Sequence, residues 1–168
     1  ILALSYEMAV QDLCDLIIDN YIANDWKVPQ ALYTLSALAG QYLKHHCYQT
    51  GAAIDKETQY LFSVMAEETS RHGISGTKNW QGLENANDFS DPKLMEKLSD
   101  LRADADKFFD MVGLEEEMQK AVSIAKTTGR MVAVTSLDDA HIQGPVAKSI
   151  AKTGLLQGAY IQENAPQN

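Results

Sequence analysis

Three places in this 168-residue chain combine residue types that could do chemistry. The first is Ser136-Leu137-Asp138-Asp139-Ala140-His141, which sets two carboxylates and an imidazole within four positions, just ahead of Gly144-Pro145. Asp138, Asp139 and His141 could serve as an acid/base pair or as ligands of a divalent cation, and the free amides of a following helix would add an anion site. The second is His45-His46-Cys47 taken with Glu67, Glu68 and His72. A spacing of four puts Glu68 and His72 on one helix face, as two metal ligands would need. The third is a set of aromatics on connections, Trp26, Trp80 and Phe89, which could anchor a partner protein.

Each place also has a plainer reading. Asp138 and Asp139 suit a polar turn between a strand and a helix. His72 at a helix C-terminus is stabilised by the helix dipole and by Glu68. His46 and Cys47 are helix neighbours pointing about 100° apart, a poor thiolate–imidazole geometry. In an antiparallel pair of helices, His45 and His72 fall at opposite ends, roughly 25 Å apart at 1.5 Å per residue, so they cannot share a metal. No GxGxxG, P-loop, GxSxG or HExxH string occurs. Neither metal nor cofactor is therefore expected, and a catalytic reading rests on Asp138, Asp139 and His141 alone.

The charge balance narrows the partners. Asp and Glu number 23 against 14 Lys and Arg, a net charge of -9, which repels phosphates and anionic lipid. Direct nucleic-acid or membrane binding is disfavoured, and no apolar run reaches the roughly 20 residues of a membrane-spanning helix. Cys14 and Cys47, without a CxxC pair, read as reduced, buried small hydrophobes. A bridge between them stays open for an exported protein. A cytoplasmic location is expected, and an exported one stays open because the sequence starts at Ile1 rather than methionine.

The elements that must position these residues follow from periodicity. Tyr6, Val10, Leu13, Ile17 and Tyr21 give a first amphipathic helix over about 2–24. Pro29 opens a second, with Leu32, Leu35, Leu38 and Tyr42 on one stripe, and Gly51 ends it. Asp55 starts a third that ends near His72, before a connection over 73–90. Ser90-Asp91-Pro92 starts a fourth, closed by Gly113, and Glu115-Glu116-Glu117 a fifth, closed by Gly129. Met131–Thr135 then reads as a short buried strand, Pro145–Gly154 as a helix and Leu155–Ile161 as a second strand.

The expected fold is mainly α. One domain would comprise a bundle of about five helices over 1–129, a β-α-β-like element over 130–162 and a frayed tail over 163–168. The expected function is that of a non-catalytic helical binding or regulatory protein, an adaptor, inhibitor or immunity-type module. It would act through protein–protein contacts, with a homodimer expected from the tyrosine-bearing helices and an open strand edge. The alternative is an enzyme or a small-ligand or metal-binding protein using the Asp138-Asp139-His141 turn. A third reading, an acidic mimic of nucleic acid, predicts affinity that falls steeply with salt.

Overall fold

A computed structural model describes residues 1–72, 93–137 and 144–160. They form α1 (Leu2–Leu16), α2 (Val28–Thr50), α3 (Ile54–Arg71), α4 (Leu94–Val112), α5 (Glu117–Leu137) and α6 (Gly144–Tyr160). From α1 the chain continues through a π-helical turn, Ile17–Tyr21, and a 3₁₀ turn, Ile22–Asn24. Asp25 then takes a left-handed φ of 76°, a region aspartate tolerates. No helix among the described residues is long and apolar enough to cross a membrane.

The bundle is organised around α2, because every residue from Ala31 to Leu43 is buried. A helix buried on all sides has to be surrounded by others. α6 and α5 run along it, and α3 and α4 close further sides. Pro29 sits in the first turn, Gln30 Oε1 accepts the Lys27 N–H at 3.3 Å, and Gly51 ends the helix at a φ of 75°. The buried Ser36 hydroxyl is satisfied locally, 3.0 Å from the carbonyls of Leu32 and Tyr33.

The α2–α6 contact depends on missing side chains. A Cβ on Gly158 would lie 1.9 Å from the Ala37 carbonyl oxygen, one on Gly154 2.4 Å from that of Tyr33, and one on Gly40 2.4 Å from that of Leu155. All three are backbone-to-backbone approaches, which side-chain repacking cannot relieve.

The expected β-α-β element is not found, and no strand occurs among the described residues. Met131–Thr135 belongs to α5, which runs through Gly129 without a break. Burial continues on both sides of the glycine, through Ala121, Val122, Ser123, Ile124 and Ala125, then Thr127 and Thr128, then Met131, Val132, Ala133 and Thr135, as in a helix enclosed on most sides. Gly129 is there for space rather than termination, since its Cβ would meet the Met65 carbonyl oxygen at 2.5 Å. Likewise α6 does not end at Gly154: Ala147, Ile150, Ala151, Gly154, Leu155 and Gly158 form one buried stripe as far as Tyr160, whose hydroxyl donates to Asp55. The strand edge offered as a dimer seam is therefore helix. The 73–90 connection, the Ser90-Asp91-Pro92 start and the 163–168 tail lie outside the described residues.

Gly158→Ala should lower unfolding free energy by about 1–3 kcal/mol, the usual cost of overpacking a core. Urea denaturation reads this directly, and an unchanged midpoint would contradict the close α2–α6 approach.

Candidate functional site

Where α3 crosses α5, the absent Gly129 side chain lets the backbones approach, and Thr69 fills the junction. Its hydroxyl lies 2.8 Å from the Met65 carbonyl and 2.9 Å from the Gly129 carbonyl, so one proton serves both helices. The next residue on α5 is Arg130, and the preceding one on α3 is Glu68. The crossing thus sets a carboxylate against a guanidinium.

Glu68 has a side chain only 3% exposed, and an isolated carboxylate at that depth is heavily penalised. Its Oε2 accepts Arg130 Nη2 at 2.8 Å and Nε at 3.2 Å, and His72 Nε2 lies 3.0 Å away. Arg71 Nη1 stands 3.8 Å from the other oxygen. Arg130 then grips α1: Nη1 and Nη2 donate to the two oxygens of Glu7 at 3.0 and 2.9 Å, a bidentate pair. One guanidinium therefore ties α1, α3 and α5 together. These bonds raise the Arg130 pKa, and the Arg130 hydrogen bond holds the Glu7 carboxyl below its ordinary range. Nearby on α1, burial pushes the Cys14 thiol up to about 12.

This lock lines the floor of a cleft of about 520 Å³ between the three helices. Val10, Val64 and Val122 give it apolar walls, with Leu2 and Tyr60 exposed at the rim. Lys126 also lines it, its ammonium 5.9 Å from the centre of the Tyr6 ring.

Of the residues the sequence singled out, the structure brings Glu68 and His72 together on one face. The cation it sets beside them is Arg130. Among the described residues no group of three or more His, Cys, Asp or Glu side chains is placed to hold a metal ion. His45 turns elsewhere, its Nδ1 3.4 Å from Arg102 Nη1. Arg102 packs 4.7 Å from the ring centre of the buried Tyr42, whose hydroxyl donates to Asp106 at 2.6 Å. Trp26 folds onto Tyr21, ring centres 4.5 Å apart, with the Lys97 ammonium 5.0 Å from its ring. Trp80, Phe89, Asp138, Asp139 and His141 lie outside the described residues. Arg130, Glu7 and Lys126 were missed from sequence. The available signal was a basic residue directly after a glycine in an unbroken helical period. Comparison of the chain with protein-family models, curated proteins and solved structures returns no match.

Arg130→Ala leaves Glu68 buried without its main partner and should cost about 3–5 kcal/mol in urea unfolding, whereas Glu68→Leu with Arg130→Met should recover most of that loss. A single variant as stable as the parent would show that the lock carries no stability. The depressed Glu7 pKa sets a sign for pH. Its contribution is complete above the unfolded carboxylate value, about 4.3, and disappears as pH falls through the lower folded value. The stability gap between the parent and Glu7→Gln should accordingly be present at pH 7 and close on acidification, and denaturant midpoints over a pH series check it.

Proposed function

We propose that the chain is a non-catalytic binding protein that receives an amphipathic segment of a partner protein in the cleft between α1, α3 and α5. The observation that carries this reading is the pairing of an exposed apolar rim with a floor whose charges already satisfy one another. Leu2 and Tyr60 each expose nearly half of their surface beside the cleft. Large apolar side chains placed together around a concavity favour a partner that removes them from water, at roughly 25 cal/mol per Å² buried.

The chemistry of the floor favours recognition over catalysis. Cys14 is not among the residues lining the cleft, and the burial that pushes its thiol up to about 12 leaves little of the nucleophilic thiolate at neutral pH. Glu68 is committed to Arg130, and so is Glu7. Both carboxylates serve to tie helices together through that guanidinium. The net charge of -9 favours proteins over nucleic acids or anionic membranes as partners.

Selection from a displayed library of 18-residue amphipathic peptides tests this reading. Binders should lose about tenfold in affinity, or roughly 1.4 kcal/mol, on the double substitution Leu2→Ser and Tyr60→Ser. They should be indifferent to Tyr48→Ser on the exposed end of α2. A library that yields no binder, or binders that ignore the Leu2 and Tyr60 substitutions, would contradict the proposal.

A further inference from the structure

The cleft carries three carboxylates, Glu7, Glu67 and Glu68, and three cations, Arg71, Lys126 and Arg130. Five of these groups are already paired. Arg130 holds Glu7 and Glu68, and Arg71 holds Glu67 at 3.1 Å with Glu68 at 3.8 Å. Lys126 makes no ion pair among the described residues. It is half-buried on α5, with its ammonium 5.9 Å from the centre of the Tyr6 ring, near the outer limit of a cation–π contact.

Acids outnumber bases by 23 to 14 in this chain, so a carboxylate for Lys126 would be easy to supply from within. Val122 one turn earlier on α5, Tyr6 on α1 and Tyr60 on α3 line the same cleft and give it apolar and aromatic surface. The complement of this surface is one negative charge set among apolar groups. Resting on the cleft as the binding site, we infer that the bound segment anchors itself by a single acidic side chain on Lys126, flanked by apolar side chains that meet Tyr6 and Tyr60. A uniformly acidic segment is disfavoured, because the net charge of -9 repels it at long range. A partner segment is favoured over a free amphiphilic acid because Leu2 and Tyr60 stand exposed at the rim, whereas a small ligand is usually enclosed over most of its surface.

The test is calorimetric titration of the full chain with three 18-residue helical peptides of one Leu/Ala/Lys frame, differing only in Glu, Gln or Lys at the centre of the apolar face. The Glu peptide should bind about tenfold more tightly than the Gln peptide, the scale of one charge-assisted hydrogen bond. That preference should vanish in Lys126→Gln and turn towards the Lys peptide in Lys126→Glu. Circular dichroism checks both variants, and if Lys126→Glu fails to fold, Lys126→Gln alone decides. Equal binding of the Glu and Gln peptides, or a preference that survives Lys126→Gln, overturns the inference. If binding is indifferent to the central residue but sensitive to Tyr60→Ser, the cleft stands as the site and only the anchor falls. If neither substitution matters, both fall. Saturable binding of dodecanoate that depends on Lys126, with no binding of the Glu peptide, would make a free acid the ligand and also overturn the inference.

Discussion

A carboxylate with 3% of its side chain exposed is costly to bury unless a cation or other donors reach it, and meeting that requirement at Glu68 constrains three of the six helices among the described residues. Arg130 reaches it only if α5 passes α3 closely, and Gly129 makes that approach possible. It also needs α5 to continue as a helix beyond residue 129, so that Arg130 leaves the crossing on the α3 side. Having satisfied Glu68 with one edge, the guanidinium has its other edge for Glu7, which fixes where the first turns of α1 lie. The cleft is the space left between helices held this way.

The rest of the bundle uses a different device. Along α2 the stabilisation is mainly burial and close contact. Gly40, Gly154 and Gly158 bring α2 and α6 so near that backbone meets backbone, while Leu35, Leu38 and Leu43 fill the sides. Burial is nearly indifferent to direction, so it brings helices together without dictating their rotation. Directional bonds supply the rotation: Tyr42 to Asp106 between α2 and α4, Thr69 across α3 and α5, and the Arg130 fork across α1, α3 and α5.

The same distinction explains what could be read from sequence. Amphipathic stripes in the first four helices are local, and Pro29, Gly51 and Gly113 mark ends that the structure keeps. Gly129 and Gly154 look like Gly51 and Gly113 in sequence but do the opposite, because their purpose is a neighbour from a distant part of the chain. Taking them as stops turned Met131–Thr135 and Leu155–Tyr160 into strands. Buried positions run almost without interruption from Ala121 to Thr135, so the apolar run after Gly129 is the continuation of an enclosed helix and looks like a strand only when the glycine is read as a stop. The Glu68–His72 pair was legible from its spacing of four. Its cation was not, since Arg130 and Glu7 lie 62 and 61 positions from Glu68, and the one local hint, a basic residue directly after Gly129, does not say which carboxylate it meets.

Charges that neutralise one another beneath exposed apolar side chains are what support the proposed recognition role, in which shape and the charge of Lys126 would select the partner. The whole arrangement turns on the guanidinium of Arg130 being held between two helices by Glu68 and Glu7. The ¹⁵N-resolved NMR signal of its Nε–H reports that state directly. It is expected as a shifted resonance, protected from exchange with water at neutral pH and lost in Glu68→Gln. An Nε–H signal at the position and exchange rate of a free arginine would contradict the account.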